Sequence, residues 1–373
     1  MEEKDNDMRL AVDCRMSGKS GIGTFIDGVL PFFARMDIEL LLVGKSESPV
    51  EGKTITCIPC DIKPFSLKEI FSFPKSIADK INSCDAFFTP YCNIPCGIRV
   101  PVICTIHDIV FLDIPSLAGK IGTLARKIFY KRAIRLSKAV CTVSQFSKER
   151  ILAQLKCTKP ISVVYGDAPE YFRKPILPSP QKKDTVIFIG NIKKHKGLQT
   201  LLPAFKKFRT QIAEMGKNLP ELLIVGSMEN FRTKDTSFDE RELESDGIKF
   251  TGFISDQELH ALLTQSRLLV QPSFYEGFGI PPLQALYCGT QAIISDIPVF
   301  KEIYANLPVT FFSAGDCDDL CTKMTEMWNA PAKTKDFESP YSFEKTAEKI
   351  IECIGNVVGG SGKQANTEKG IAL

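Results

Sequence analysis

The sequence lacks several features that mark specialised classes of protein. It contains only three histidines and one tryptophan among 373 residues. Its formal net charge of +3 is too small to indicate nucleic acid as the main ligand. No apolar run is long enough to cross a membrane as a helix, and the charged first residues, MEEKDNDMR, contain no apolar core of a secretion signal. We therefore expect a cytoplasmic protein that does not act on nucleic acid.

The thirteen cysteines lack the spacing of a metal site. Cys57 and Cys60 form one pair separated by two residues, and no second pair follows at the spacing of zinc ligands. The cysteines are odd in number and scattered through apolar segments, which favours reduced thiols in a cytosolic protein. A metal or redox role for this one pair is the alternative.

The composition and the order of the predicted elements indicate the fold class. A hydrophobic content of 44% and a charged content of 24% are those of an ordinary globular protein, and the length favours two domains. Short apolar strands alternate with helical patterns, which predicts an α/β fold with doubly wound parallel sheets. The predicted strands cover residues 10–13, 38–43, 54–58, 86–88, 102–106, 139–143, 185–189, 222–226, 248–252, 268–270 and 292–295. The predicted helices cover residues 25–35, 67–81, 124–136, 198–212, 256–264, 281–287, 320–328 and 343–354.

A proline-rich, charged segment between residues 168 and 184 predicts the domain boundary. The helix after residue 340 is a candidate to pack back on the N-terminal domain. The tail begins near a Gly-Gly-Ser-Gly stretch and is expected to be disordered. The predicted divisions are an N-terminal Rossmann-like domain over 1–168, a hinge linker over 169–184, a C-terminal Rossmann-like domain over 185–340, a helix over 341–357 and a tail over 358–373.

The stretch SFYEGFGIPPLQALYCGT, residues 273–290, is the strongest candidate for a functional site. Glu276 and the glycines Gly277 and Gly279 follow a predicted buried strand, and Pro281 begins a helical pattern. Glycine permits close approach of the backbone to a ligand, and proline suits the first turn of a helix. A helix amino terminus attracts anions. The pattern therefore predicts an anion site with a carboxylate beside it.

Other candidate residues follow predicted strands, where ligands of parallel sheets bind. His107 directly follows the strand over 102–106, and the alternative to a ligand contact is that it only caps the strand. Gly18, Gly21 and Gly23 form a glycine-rich turn that matches neither the P-loop nor the G-x-G-x-x-G pattern. Three lysines in the loop after strand 185–189 suit a polyanion, or else form a solvated cluster: Lys193, Lys194 and Lys196.

The segment 120–138 carries seven basic residues and no acidic one. Interleaved apolar residues make it a basic amphipathic helix, which suits an anionic membrane surface. The alternative is an apolar stripe packed on the sheet beneath a solvated charged face. The candidate membrane contacts are Arg126, Lys127, Lys131 and Arg132.

One acidic pair has the spacing of a metal motif. Asp316 and Asp318 match the D-x-D pattern, but they precede a helical stretch, where acidic residues are expected as caps. We interpret them as a helix cap and expect no metal.

Taken together, these motifs show that the chain resembles the retaining glycosyltransferases of family four, also known as glycosyl transferases group 1. It looks most like bacterial mannosyl and rhamnosyl transferases. The resemblance covers most of the chain and implies the GT-B fold, in which two Rossmann-like domains face each other across a cleft and close on the donor. The matching pieces, in the family's order, are Gly21-Ile22-Gly23, Thr105-Ile106-His107-Asp108, Val143-Ser144-Gln145-Phe146-Ser147, the segment 190–197, Tyr275-Glu276-Gly277-Phe278-Gly279 and Cys288-Gly289-Thr290.

The resemblance also implies roles for individual residues. The catalytic set is Glu276, which contacts the donor sugar, His107, which lies against the transferring sugar, and Lys196, which neutralises the donor diphosphate. Gly23 matches a glycine whose backbone approaches that diphosphate. The remaining donor-binding residues are Phe278, Gly279 and Ile280 around the sugar hydroxyls, Phe253 and Ile254 near the base, and Gly190, Asn191, Lys193, Lys194, Gly226, Leu283 and Gln284.

Two residues depart from the family pattern. Gln284 stands where the family has a glutamate that grips the ribose, and an amide lacks the charge-assisted strength of a carboxylate. Asn191 stands where an arginine is usual, and Lys193 or Lys194 would supply the missing charge only as point charges. Both changes predict a weakened or altered grip on the donor.

The resemblance implies a retaining, metal-independent hexosyltransferase of polysaccharide or glycoconjugate assembly. We expect a nucleotide-diphosphate sugar donor, with GDP-mannose as the first candidate, and no cofactor. The expected acceptor is a glycan or a lipid-linked oligosaccharide, which would place the protein peripherally on the inner membrane face. A nucleotide-sugar-binding subunit without transferase activity is the alternative. An NAD-dependent oxidoreductase would need fingerprint glycines and an acidic ribose-binding residue that this chain lacks.

Overall fold

The computed structural model describes residues 8–52, 54–174, 176, 181–226, 244–330 and 338–365, with side chains up to residue 359. The chain divides into two compact units. Unit 1 combines residues 1–167 with residues 341–373, and unit 2 spans residues 168–340. Most of the charged stretch 230–246, part of the predicted linker and the end of the tail lie outside the described residues.

Unit 1 contains a seven-stranded sheet in the order β3-β2-β1-β4-β5-β6-β7, with neighbouring strands parallel. Its strands β4, β5 and β6 are buried at every residue, which explains why each is apolar up to its final threonine. The strands are β1 (Arg9–Asp13), β2 (Glu39–Val43), β3 (Ile55–Ile58), β4 (Ala86–Thr89), β5 (Val102–Thr105), β6 (Ala139–Thr142) and β7 (Ile161–Val163). The helices are α1 (Ser20–Phe33), α2 (Leu67–Phe71), α3 (Lys75–Ile81), α4 (Val110–Asp113), α5 (Gly119–Leu136) and α6 (Gln145–Leu155), followed late in the chain by α12 (Phe343–Ala365).

Unit 2 repeats this design with a six-stranded parallel sheet in the order β10-β9-β8-β11-β12-β13. Strands β8 and β11 lie side by side at its centre, so the loops that follow them meet at one edge of the sheet. The strands are β8 (Lys183–Ile189), β9 (Glu221–Val225), β10 (Ile248–Gly252), β11 (Ser266–Gln271), β12 (Gln291–Ser295) and β13 (Val309–Phe312). The helices are α7 (Leu198–Glu214), α8 (Asp256–Gln265), α9 (Pro281–Tyr287), α10 (Pro298–Tyr304) and α11 (Cys317–Asn329).

Helix α12 belongs to unit 1, although it follows unit 2 in the sequence. The ring of Phe343 packs directly on Gly28 of α1, where a methyl group would lie 2.3 Å from a ring carbon. The Thr346 hydroxyl donates a hydrogen bond to the Tyr165 carbonyl. The helix continues to Ala365, beyond its predicted end at 357, so part of the predicted disordered tail is helical. Glycine weakens a helix by only about 1 kcal/mol per residue, which does not force it to end.

The sequence prediction was wrong in one helix and incomplete elsewhere. The single helix predicted over 67–81 is two helices, α2 and α3, because Pro74 lies between them and disfavours helical backbone in the residue before it. Strands β7 and β13 and helices α4, α6 and α10 were not predicted. None of the helices in the described parts of the chain is long and apolar enough to span a membrane.

Candidate functional site

The carboxyl edge of the unit 2 sheet brings two of the predicted catalytic residues together. Lys196 lies in the loop after β8, and Glu276 lies in the loop between β11 and α9. The Lys196 Nζ atom is 2.8 Å from Oε1 and 2.7 Å from Oε2 of Glu276. Only 19% of the lysine side chain and 9% of the glutamate side chain are exposed. The two residues therefore form a largely buried ion pair at the edge where ligands of such sheets bind.

Neighbouring polar side chains fix the Glu276 carboxylate. The Ser273 hydroxyl donates to Oε1 at 2.7 Å, and the amide of the buried Gln271 lies 3.5 Å from the same oxygen. The Gln271 amide also donates to the Ser273 hydroxyl at 3.2 Å. Sequence analysis assigned no role to these two supporting residues, although Ser273 begins the predicted stretch 273–290 and Gln271 stands two residues before it. They leave the carboxylate fixed in position rather than free to rotate.

The backbone at this edge needs glycine at Gly197. Its φ angle is +77°, and a Cβ atom there would lie 1.9 Å from the Pro272 carbonyl oxygen. The Phe274 N–H donates to the His195 carbonyl at 2.8 Å, which joins the same two loops. Only a residue without a side chain permits this approach. The lysine loop and the glutamate loop are thus locked together by their backbones.

The turn that precedes α9 carries the residues predicted to surround the sugar. Gly279 has a φ angle of +82°, and its carbonyl accepts a hydrogen bond from the Tyr304 hydroxyl. Phe278 is buried beside it, whereas Gly279 and Ile280 are half-buried at the surface. Leu283 is completely buried, which places it in the core of the unit.

Gln284 lies on α9 and is 7% exposed. Its backbone takes part in the helix, and within the described chain its side chain makes no hydrogen bond. The amide is therefore available to a ligand that reaches it. This is the position at which the family pattern has a carboxylate.

The remaining predicted donor residues lie along the same edge of unit 2. Gly190 and Gly226 follow β8 and β9, and a Cβ atom on Gly226 would lie 2.1 Å from the Gly190 carbonyl oxygen. Phe253 follows β10 and is 87% exposed, with the half-buried Ile254 next to it. An exposed aromatic ring at a ligand edge suits stacking on a flat group. The exposed polar residues of the β8 loop are Asn191, Lys193 and Lys194.

His195 lies between two lysines of this loop, and sequence analysis gave it no role. It is only 8% exposed, and its Nδ1 atom finds no hydrogen-bond partner in the described structure. Burial, assisted by the positive charge of Lys196, lowers the pKa of His195 from 6.5 to about 4. The ring is therefore neutral at pH 7. The low number of histidines in the chain was the only signal in the sequence that could have indicated a role for His195.

His107 lies at the carboxyl edge of the unit 1 sheet, two residues after the end of β5. Its Nε2 atom is 2.9 Å from the Pro90 carbonyl oxygen, which requires the proton on Nε2 and leaves Nδ1 as an acceptor. The ring packs edge-on against Phe25 with centroids 5.1 Å apart. Burial lowers the pKa of His107 to about 4, against the opposing effect of the Pro90 hydrogen bond. A neutral imidazole with one acceptor nitrogen can accept a hydrogen bond from a sugar hydroxyl.

Gly23 has a structural role in α1, and its approach to a diphosphate stays a prediction. It lies inside α1, its N–H donates to the Lys19 carbonyl at 3.0 Å, and a Cβ atom there would lie 2.4 Å from the Met16 carbonyl oxygen. The residue therefore allows the helix to pack on the preceding turn, and its N–H is already used. Gly21 is in the first helical turn, where N–H groups have no partner within the helix, and the space beside it is open.

The basic segment 120–138 forms α5, and its cations differ in environment. Arg126 stacks on the Phe111 ring at 4.0 Å, and Arg132 donates to the Ile94 carbonyl at 2.8 Å. Lys131 is exposed and Lys127 is half-buried. Three apolar side chains of this helix point to solvent, with exposures of 86%, 60% and 60%, which contradicts the alternative of a fully packed apolar stripe: Ile121, Leu124 and Ile128.

The predicted helix cap at Asp316 is present. Its Oδ1 atom accepts hydrogen bonds from the N–H groups of Asp318 at 2.9 Å and Asp319 at 3.0 Å. Across the described residues, no three histidine, cysteine or acidic side chains are grouped so that they could hold a metal ion.

Comparison with known sequences finds a family model that matches the part of the chain containing Lys196 and Glu276. Residues 171–349 match the family model described as "Glycosyl transferases group 1". The chain is 26% identical over 213 residues to O-antigen chain mannosyltransferase B of Escherichia coli, and the match covers 54% of each chain. It is 27% identical over 207 residues to O-antigen chain mannosyltransferase RfbU of Salmonella typhimurium, again over 54% of each chain. The matched region thus spans about half the length of these curated relatives.

Comparison with solved structures covers nearly the whole chain. Sucrose-phosphate synthase from Thermosynechococcus elongatus superimposes with a TM-score of 0.66 at 13% identity, over 98% of this chain and all of that structure. Anabaena Alr3699/HepE, solved with UDP and glucose, gives a TM-score of 0.63 at 14% identity over the same shares. These likenesses confirm the predicted GT-B fold with its two Rossmann-like domains.

Proposed function

We propose that this chain, whose residues 171–349 match the glycosyl transferases group 1 family model, is an active, retaining hexosyltransferase that uses a nucleotide-diphosphate sugar. The observation that carries the proposal is the Lys196–Glu276 ion pair at the carboxyl edge of the unit 2 sheet. A cation for a departing diphosphate and a carboxylate for the sugar are the two charges that such a transfer needs. Here both lie in loops whose backbones are locked together at Gly197 and Pro272.

The cations of the β8 loop are proposed to replace a divalent metal. The leaving diphosphate gains negative charge in the transition state, and fixed positive charges in a partly buried site stabilise it strongly. Lys196 has three N–H donors, of which its bonds to the Glu276 oxygens use two, so one remains for a phosphate oxygen. Lys194 is exposed in the same loop and adds charge at the surface.

Glu276 is proposed to position the sugar and to stabilise positive charge on it. Both of its oxygens bind the Lys196 ammonium, and Oε1 also accepts from Ser273, which lowers its value as a nucleophile. This supports a front-face reaction, in which the acceptor oxygen attacks the anomeric carbon on the side from which the phosphate leaves. The departing phosphate oxygen then takes the acceptor proton, so the anomeric configuration is retained.

The proposed donor is GDP-mannose or a similar nucleotide sugar. Support comes from the two relatives named as O-antigen chain mannosyltransferases. An amide at Gln284 would hold the ribose with a neutral hydrogen bond instead of a charge-assisted one, which costs about 1 kcal/mol and weakens donor binding about fivefold.

The first test measures donor binding and then turnover. A thermal-shift panel of GDP, UDP and dTDP sugars identifies the base and the sugar, and we expect protection by GDP-mannose. Transfer and donor hydrolysis are then compared between the natural chain, Glu276→Ala and Gln284→Glu. We expect Glu276→Ala to reduce turnover about 100-fold or more and Gln284→Glu to lower the KM for the donor. Donor binding without nucleotide release, with any acceptor, would contradict the enzyme function.

That contrary result would identify the second candidate function, a nucleotide-sugar-binding subunit of a glycosylation complex. The observations that favour it are the uncharged side chains at Gln284 and Asn191, where the family pattern has charge. The Lys196–Glu276 pair opposes it, because binding alone gives no reason to bury an ion pair at some cost in desolvation.

The proposed acceptor is a glycan or lipid-linked oligosaccharide at an anionic membrane surface. The outer face of α5 combines the exposed Ile121, Leu124 and Ile128 with basic residues and no carboxylate. Such a face inserts apolar side chains between lipids while its lysines contact phosphates.

Membrane binding is tested by vesicle sedimentation with phosphatidylglycerol-containing liposomes. Replacing Ile121, Leu124 and Ile128 with serine should reduce binding at least tenfold, as should Lys127→Gln combined with Lys131→Gln. The exposed Leu152→Ser of α6 is the matched control. Equal binding by all these variants would exclude α5 as the contact.

A further inference from the structure

Unit 1 contains a basic site of its own, in addition to the lysine loop of unit 2. It does not lie at the sheet edge that carries His107. A cavity of about 350 Å³ lies between the loop 94–101 and the end of α5. That volume is at the lower end of the range for small-molecule pockets. Among the described residues, four cationic side chains and no carboxylate line it: Arg99, Arg132, Arg135 and Lys138.

The cavity is at the amino edge of the unit 1 sheet, and His107 lies at the carboxyl edge of the same sheet. Lys138 directly precedes β6, and its N–H donates to the carbonyl of Val102, the first residue of β5, at 2.8 Å. His107 follows the carboxyl end of the same strand β5. The length of that strand therefore separates the cavity from the catalytic candidate.

The wall of the cavity is fixed by hydrogen bonds. The Asn82 side chain donates to the Gly97 carbonyl at 2.8 Å and accepts from the Arg99 N–H at 2.6 Å. The Cys96 N–H donates to the Glu69 carbonyl at 3.0 Å. The loop is thus held at both ends, and its shape is set before any ligand binds.

The charges in the cavity are poorly neutralised by the protein. Arg132 uses one N–H for the Ile94 carbonyl, and burial lowers its pKa, with the nearby charge of Arg135 acting in the same direction. Within the described chain, Arg132, Arg135 and Lys138 form no ion pair, and Arg99 reaches Asp79 only at 3.6 Å on the surface.

A helix carboxyl terminus favours cations, which accounts for basic residues on the last turns of α5. It does not account for Arg99 and Lys138, which approach the cavity from outside the helix. The helix end carries about half a negative charge, far less than the four positive charges around the cavity. The excess positive charge favours an anion in the cavity.

We propose that this cavity binds a phosphate group, either free or as the head group of an anionic lipid. Guanidinium groups bind phosphate oxygens in a bidentate manner, and three arginines beside one lysine suit a phosphate better than a carboxylate. The exposed apolar face on the first half of α5 lies on the same helix, so a lipid bound here would lie beside a surface that suits a bilayer. The proposal does not depend on transferase activity.

The test uses the full chain and two probes, inorganic phosphate and vesicles of equal parts phosphatidylcholine and phosphatidylglycerol. The pocket variant is Arg135→Gln with Lys138→Gln, since neither side chain makes a hydrogen bond in the described structure. Its control is Lys127→Gln with Lys131→Gln, which removes two positive charges from α5 outside the cavity. Phosphate is compared with chloride at equal ionic strength, and all phosphate measurements are made in a Lys196→Met background to exclude the donor site.

If the ligand is free phosphate, phosphate should raise the melting temperature, and the pocket variant should bind it about tenfold more weakly than the control. If the ligand is a lipid head group, vesicle binding should fall about tenfold further in the pocket variant than in the control. The proposal is overturned if phosphate gives no protection and both double variants lose vesicle binding equally. Protection by a nucleotide sugar in the pocket variant shows separately whether the donor site is intact.

Discussion

At the scale of single residues, the Lys196–Glu276 pair combines stability and function. Both side chains are largely buried, so removal of one leaves an uncompensated charge in a site with little water. Removal of both side chains leaves no uncompensated charge. The two single changes should therefore be more harmful to folding than the double change.

We predict that Lys196→Met and Glu276→Gln each lower the free energy of unfolding, Lys196→Met by about 3 kcal/mol. The double variant should lose less than the sum of the single losses, with a coupling free energy of 1 kcal/mol or more on the order found for contacting charges. Urea unfolding of the four proteins measures this cycle. Strict additivity would show that the ion pair does not form in solution.

The buried histidines predict a dependence of stability on pH. His107 and His195 have pKa values near 4 in the folded chain against 6.5 ordinarily, so between those values the unfolded chain binds more protons. Stability should fall as the pH drops from 6.5 to 4, by up to about 3 kcal/mol for each histidine. Replacing His195 with Gln should flatten the curve, as measured by urea unfolding at several pH values. An unchanged slope in that variant would contradict the assignment.

At the scale of elements, the loops after β8 and β11 decide the geometry of the site. Their close approach depends on Gly197, whose missing side chain makes room for the Pro272 carbonyl. Gly216, after α7, also has a positive φ angle, but a Cβ atom there would have no neighbour within 4 Å. Substitution of Gly197 would cause both a steric clash and strain from the positive φ angle, whereas substitution of Gly216 would cause only the strain.

We predict that Gly197→Ala lowers the free energy of unfolding by about 3 kcal/mol or more and abolishes donor protection. Gly216→Ala should cost only about 1 kcal/mol and leave donor binding unchanged. Thermal unfolding with and without donor measures both effects. Similar losses in the two variants would mean that the two loops do not touch.

The elements also show which features could be predicted from the sequence. Strands such as β5 and β11 were found because buried parallel strands carry apolar runs, here residues 102–104 and 268–270. The short edge strand β7 was missed because its residues are mostly half-buried and its sequence is less apolar. The pairing of Lys196 with Glu276 could not be predicted from the residues, since they are far apart in sequence and meet only because β8 and β11 are neighbours.

At the scale of the whole molecule, the chain returns to its first unit after completing the second. Helix α12 packs on α1, and Phe343 fills the space that Gly28 leaves open. The ring is 5% exposed and lies edge-on against Phe25. The last described helix therefore completes the core of unit 1.

We predict that Phe343→Ala lowers the stability of unit 1 by about 3 to 5 kcal/mol through the cavity that it creates. The neighbouring exposed Glu344→Ala should change it by less than about 0.5 kcal/mol. Hydrogen exchange resolved by mass spectrometry reports each unit separately, and protection in unit 2 should be unaffected. Faster exchange in unit 2 alone would contradict the packing of α12.

The sequence alone determined the fold class, the family resemblance and the residue types of the site, because burial and strand periodicity leave a local signature at each position. The tertiary structure decided which residues meet. It paired Lys196 with Glu276, used the N–H of Gly23 inside α1, exposed the apolar residues of α5 and gathered four cations around a second cavity. These facts depend on strand order and on packing between distant segments, which no local pattern encodes.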